Sequence, residues 1–152
     1  MNAIPASPKK SLITSIVTCK CPRCREGNMF VEPHAYSKGF MKMHNNCQVC
    51  GQPFDLEVGF YYGSSYVSYA LSVAISVGSL IVWWLSIGLS VQDNRIFYWM
   101  GFNAVLLISI QPLLMRIARS GWLNFFVHYD SNWKNVKADA PERMVKEFQH
   151  AW

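Results

Sequence analysis

From Tyr66 to Leu89 the chain carries no charged residue, and from Ile96 to Met115 it again carries none. Valine, isoleucine, leucine, aromatic and small residues dominate both stretches, without the polar stripe that a helix on a soluble core shows. A helix rises about 1.5 Å per residue, so these runs reach roughly 36 and 30 Å. The hydrocarbon core of a bilayer is about 30 Å thick. The pattern predicts a transmembrane hairpin over residues 59–115, with spans at about 64–89 and 96–115 joined through "SVQDNR".

Shorter periodicities flank the hairpin. Leu12, Ile13, Ile16 and Val17 recur at i, i+1, i+4 and i+5, one face of a short helix. With Lys9 and Lys10 before it, residues 1–18 read as a basic amphipathic lead-in, suited to anionic headgroups or to packing under the segment that follows. Its apolar stretch is too short and interrupted for the core of a cleaved signal peptide. Pro112 is expected to kink or end the second span, leaving 116–152 as a tail. In "RIARSGWLNFFVHYD", Ala118, Trp122, Phe125, Phe126 and Tyr129 share a face opposite Arg116, Arg119 and Asn124. Tryptophan and tyrosine favour the headgroup zone, so an interfacial helix is expected there. "DAPERMVKEFQHAW" predicts an amphipathic helix, with Asp139 as cap, Pro141 and Glu142 in its first turn and Met144, Val145, Phe148 and Trp152 as its apolar stripe.

Charge gives the hairpin a direction. Seven Lys/Arg precede the first span, one (Arg95) lies between the spans and six follow the second. Lysine and arginine are retained on the cytoplasmic side, which places both termini there and makes the protein multi-pass. Neither span carries Asp, Glu, Lys, Arg or His, although proton and ion pathways usually mark themselves with such groups. No nucleophile–base set, phosphate-cradling glycine loop or framed carboxylate pair is present either. The expectation is a protein that is not an enzyme and has no recognisable small-molecule substrate. Lys9, Lys10, Lys20, Arg23 and Arg25 could attract phosphate, but no aromatic platform for stacking accompanies them, so nucleic acid is not expected as a partner. Asp55 and Glu57, just before the first span, read as solvated boundary residues or as contacts for a basic patch.

The chemistry is concentrated in residues 19–58. Cys21 and Cys24 form one C-x-x-C, and Cys47 and Cys50 form a second after 22 intervening residues. Each such pair makes a tight turn that aims two sulfurs at one point, and two pairs complete a tetrahedron around Zn²⁺. A turn-rich module of this size lacks the apolar core to hold itself together, and a metal replaces it. A zinc-ribbon-like β module is expected, and iron suits four thiolates as well. A redox dithiol or disulfides are the other readings, the latter requiring the opposite topology. Gly51 supplies a left-handed residue after the second pair, while Arg25 stands at that place after the first. Cys19 reads as a small buried residue. His34 and His44 are not needed, because four cysteines fill the tetrahedron.

Ser64, Ser68, Ser72 and Ser76 recur every four residues through the first span, preceded by Gly59 and Gly63. Small residues at this spacing let another backbone approach, either the second span, through Asn103 and Gln111, or a partner. With the aromatic tail residues Trp122, Phe125 and Phe126, they are the candidate packing and docking surface for a membrane-protein partner or a second copy, beside the lipid itself.

"CPRCREGNMF", "CQVCGQPF", the aromatic-glycine segment "GFYYGSSYVSYAL" and "RSGWLNFFVHYD" together resemble the DUF983 family of small bacterial membrane proteins of uncharacterised function, in the form found among Bacteroidetes-type bacteria. The resemblance covers roughly residues 15–130. The family's first pair commonly reads C-P-x-C-G, where this chain has Arg25, and its acidic Gly-Asp-x-Pro segment is replaced here by "VGFYYG". The resemblance implies a bacterial inner membrane. Genes of this family that lie near those of haem–copper oxidases imply an accessory or assembly role in a larger, respiratory complex. The alternative is a thiol-based metal-handling or redox protein at the membrane. The combined expectation is a mainly α membrane protein, with a transmembrane hairpin, an N-terminal zinc-ribbon-like module and C-terminal interfacial and amphipathic helices.

Overall fold

The computed structural model describes residues 11–88 and 93–138. Among these described residues three α-helices form in this order: α1 (Leu12–Val17), α2 (Ser64–Ile87) and α3 (Arg95–Phe126), with a 3₁₀ turn at Phe60–Gly63 leading into α2. Asp139 and the amphipathic helix expected after it lie outside the described residues, as do Lys9 and Lys10.

α2 and α3 are long and apolar enough to cross a membrane. In their most apolar windows 0% and 11% of residues are buried by the rest of the described chain, whereas a helix of such composition in a soluble core would be covered. Val82, Trp84, Leu85, Phe97, Val105 and Ile108 all point outward. Gly88, at φ 81°, ends α2, and the Arg95 guanidinium donates to the Ile87 carbonyl at 2.9 Å. The only cation of the connection therefore lies against the negative end of α2.

The helices run antiparallel and are fastened by a small polar cluster. Asn103 donates to Ser76 Oγ at 3.2 Å, Ser79 donates to Asn103 Oδ1 at 3.1 Å, and Trp99 Nε1 donates to Ser79 Oγ at 3.2 Å. Trp83 stacks on Phe102 beside them, ring centroids 6.2 Å apart. Between apolar surfaces such bonds fix register, each contributing roughly 0.6–2 kcal/mol.

Of the two outcomes expected at Pro112, a kink or an end, the span does not end there. The helix runs on through the proline to Phe126, so residues 116–126 continue α3 and form no separate interfacial helix. Proline removes one N–H and crowds the preceding turn, but Tyr36 donates its hydroxyl to the Ser109 carbonyl in that turn at 2.8 Å. Beyond the proline, burial takes over: Leu114, Arg116, Ala118, Ser120 and Leu123 are all buried. At 32 residues to α2's 24, α3 is longer by roughly 12 Å. This extra length enters the cysteine module.

Among the described residues no β-strand forms, so the expected β character of the module is reduced to three isolated antiparallel bridges: Lys20–Asn28, Phe30–Met43 and Asn46–Pro53. Left-handed residues at Cys19, Arg25, Gly39 and Gly51 turn the chain before any arm can extend. Nor is the module without a core. Met29, Phe30, Phe54, Phe60 and the cysteines pack with Leu123 of α3 and Trp133 of the segment after it. α1 lies against α3 with Ser15 inward, while Leu12, Ile13 and Val17 stay exposed.

Gly63 is where the hairpin meets this core. A Cβ there would come within 2.0 Å of the Trp122 ring, whose Nε1 donates to the Phe60 carbonyl at 2.8 Å. Gly63→Ala is expected to destabilise the chain by about 1–3 kcal/mol through overpacking. Trp122→Phe, which removes the obstructing benzo ring, should recover part of that loss in the double variant. Thermal unfolding in detergent reads both effects.

Candidate metal centre

Each C-x-x-C is built by the same local device. After the first cysteine, the main chain turns so that Arg25 N donates to Cys21 O at 2.8 Å, and Cys21 N donates to Gly27 O at 2.8 Å. In the second pair Gly51 N donates to Cys47 O at 2.9 Å, and Cys47 N donates to Gln52 O at 2.8 Å. Arg25 and Gly51 are left-handed, at φ 59° and 73°. A side chain in that conformation costs about 1–2 kcal/mol. Arg25 is buried, with its guanidinium 4.7 Å from the centre of the Tyr129 ring, a contact that offsets the backbone cost.

The two turns face each other. Cys21 Sγ lies 3.7 Å from Cys50 Sγ, and Cys24 Sγ lies 3.7 Å from Cys47 Sγ. All four sulfurs fall within 4.8 Å of one another. A disulfide needs about 2.05 Å, and all five cysteines are free. Four sulfurs about 2.3 Å from a central zinc would form a tetrahedron with edges of about 3.8 Å, so the cluster has the dimensions of a thiolate metal site. Cys21, Cys24 and Cys47 are buried and Cys50 is half-buried. Crowded thiols share protons unevenly. Hydrogen bonding with Cys21 pulls the Cys24 thiol pKa below its ordinary value, while bonds with Cys24 and Cys47, together with burial, push that of Cys21 up. A divalent cation that takes all four as thiolates relieves this competition.

Cys19 stands outside the four-thiol group, its Sγ directed at the Val17 carbonyl. Burial raises its pKa, against a smaller opposing effect of Arg116. His34 is exposed, and His44 Nδ1 lies 3.3 Å from Gln48 Nε2; neither belongs to the sulfur cluster.

Several residues that hold the centre have no short-range signal in the sequence. Gly27 gives a legible one only in hindsight: a Cβ there would lie 2.4 Å from Cys47 Sγ. Arg23, inside the first pair, is buried. It forms an ion pair with Asp130 at 3.2 Å and donates to the carbonyls of Val136 and Lys137 at 2.8 and 3.3 Å. Arg116 and Arg119, counted from sequence as charges that orient the hairpin, also act as clamps. Arg116 donates to Glu32 O at 2.7 Å and Pro33 O at 3.3 Å and covers the Phe30 ring at 4.3 Å. Arg119 donates to Met41 O at 3.3 Å.

The candidate packing residues separate into four groups. Ser76 bonds Asn103 across the hairpin. Ser64, Ser68 and Ser72 line a cavity at the module end of α2. Gly59 takes φ 78° at the entry to the 3₁₀ turn, and Gly63 lies beneath Trp122. Trp122 is occupied within the chain, packing on Phe60 and Phe126 at 6.2 and 5.2 Å, while Phe125 and Phe126 remain exposed.

Residues 37–126 match the model of a family described as protein of unknown function (DUF983). The matched stretch contains Cys47, Cys50 and both long helices; Cys21 and Cys24 precede it. No curated protein and no solved structure matches the chain.

Two substitutions test the geometry. Gly27→Ala, which the backbone accepts but Cys47 Sγ does not, is expected to weaken metal binding at least about tenfold, measured by chelator competition. Arg25→Ala keeps the left-handed strain and loses the contact with Tyr129, whereas Arg25→Gly removes both. The glycine variant should therefore be the more stable by about 1 kcal/mol in thermal unfolding.

Proposed function

From the premise that this chain belongs to the DUF983 family, we propose that it is a non-enzymatic, membrane-anchored protein in which Cys21, Cys24, Cys47 and Cys50 hold one structural zinc. The observation that carries the reading is the sulfur cluster, whose edges suit a four-coordinate site made wholly of protein ligands. Such a site is closed. A zinc that holds four thiolates has no position left for water, so the chemistry it supplies is shape: it locks two turns that no β-ladder joins.

The uncovered apolar surfaces of α2 and α3 support a hairpin embedded in lipid. The balance of Lys and Arg supports both ends in the cytoplasm of a bacterial inner membrane, where thiols stay reduced. Within that membrane we assign the protein an accessory-subunit or assembly role in a larger complex, respiratory by family resemblance. Phe125, Phe126 and the outward residues of the hairpin offer contacts to a partner subunit or a second copy. A metal-handling or redox role is the second reading; the half-buried Cys50 is the sulfur through which exchange would begin.

The expected result is one zinc per chain by elemental analysis of detergent-purified protein, retained against moderate chelator and lost with Cys24→Ser or Cys47→Ser. The chain should stay with membranes after alkaline carbonate extraction and co-purify with other membrane subunits in fixed ratio. Release by carbonate would defeat the membrane assignment. Iron in place of zinc would change the metal alone. Rapid metal exchange or redox-dependent thiol labelling would favour the second reading.

A further inference from the structure

The chain that leaves α3 returns over the first cysteine pair, where residues 129–137 form a strap. The strap is itself folded. Asn132 N donates to Asp130 Oδ1 at 2.8 Å, and the Asn132 carbonyl accepts from the N–H groups of Asn135 and Val136 at 2.9 and 3.1 Å. Trp133 is buried in the core that contains the cysteines. The polar anchors converge on two arginines of the Cys21–Cys24 turn. Arg23 Nη2 reaches the Asp130 carboxylate at 3.2 Å and donates to the Val136 and Lys137 carbonyls at 2.8 and 3.3 Å. Asp130 N donates in return to the Arg23 carbonyl at 3.2 Å. The Arg25 guanidinium lies 4.7 Å from the centre of the Tyr129 ring.

Arg23 stands between two of the four thiols, and Arg25 directly follows the second. Their placement is therefore a property of the turn that aims Cys21 and Cys24 at the other pair. Three acceptors surround one nitrogen of Arg23, and hydrogen bonds weaken steeply as they leave line, so a small rotation of the turn breaks the strap's hold. Thiols that bind a metal give up their protons. Four sulfurs within 4.8 Å of one another that do so repel each other unless a cation lies among them. Strap and cation thus favour the same conformation of one turn, and two such partners strengthen each other by an equal factor.

We propose that residues 129–137 are a latch on the metal centre: the strap, docked on Arg23 and Arg25, raises the affinity of the four thiols for a divalent cation, and the bound cation tightens the strap. The inference deepens the structural-zinc reading above and rests on it. Asp130 and Tyr129 are positioning residues, although 107 positions separate Asp130 from Arg23. Loss of the cation loosens the strap and uncovers Trp133, so the segment after α3 reports the state of the thiols.

The test uses the full chain in a maltoside detergent with reductant, loaded with Zn²⁺ or emptied by chelator, and follows amide hydrogen exchange by mass spectrometry. Removal of Zn²⁺ is expected to speed exchange across 129–137 at least about tenfold, while 114–126, the end of α3, keeps its protection. Asp130→Ala should weaken Zn²⁺ affinity about tenfold in chelator competition, and the response of its strap to Zn²⁺ should shrink with it. Tyr129→Leu, which leaves Arg23 and Asp130 in place, should act in the same direction. A contact that only adds stability would not link these two readouts. Strap exchange that is equal with and without Zn²⁺, or that speeds only together with 114–126, overturns the inference. Unchanged Zn²⁺ affinity in both variants does so too. Elemental analysis keeps the two readings apart: a chain that holds zinc while its strap ignores it sinks only this inference, and a chain that binds no zinc sinks both.

Discussion

The last turns of α3, from Leu114 onward, organise the rest of the molecule. They leave the apolar hairpin and pass directly into the side of the cysteine module, where Leu123 sits in its core and Arg116 holds the Glu32 and Pro33 carbonyls. Hydrogen bonds from a charged donor contribute about 1.5–3 kcal/mol each, and the guanidinium over Phe30 adds roughly 1–2 kcal/mol when shielded from water. The consequence is mechanical: the sulfur cluster and the hairpin form one body, and a helix rather than a tether joins them. Pro112 is tolerated on this path because burial on the far side rewards continuing the helix.

The metal site depends on the same arrangement. Two cysteine turns cannot fix their mutual distance by themselves, since the bridges between them are isolated and their arms are short. The Met29–Phe30 arm is pressed against α3, and the segment after α3 returns through Asp130 to grip Arg23 within the first turn. The turns therefore have support from both sides before a cation completes them. The metal then settles the final fraction of an ångström and neutralises the thiolates, a smaller task than replacing an absent core. Gly27 is the narrowest point, with a sulfur where a side chain would stand.

The hairpin divides its polar residues between two tasks. Near its middle, Ser76, Ser79, Trp99 and Asn103 satisfy one another and set the register of α2 on α3. Near the module, Ser64, Ser68 and Ser72 border a cavity that Asp55 and Arg119 also line. Serine every fourth residue serves both, because a small side chain that returns its proton to the helix backbone is compatible with a close seam and with an open wall.

The long apolar runs, the two C-x-x-C turns and the short helix at Leu12–Val17 were legible from sequence because each is a local property: charge-free length, spacing of thiols and a four-residue period. Membership of the DUF983 family was legible for the same reason, through short motifs in fixed order. What only the tertiary structure decided involves contacts between distant residues. These include the reach of α3 beyond Pro112, the use of Arg23, Arg116 and Arg119 as clamps, the enclosure of Trp122 over Gly63 and the replacement of β-strands by single bridges. Whether a cation faces solvent, lipid or a buried carbonyl depends on what lies across from it, and no periodicity along the chain encodes that neighbour.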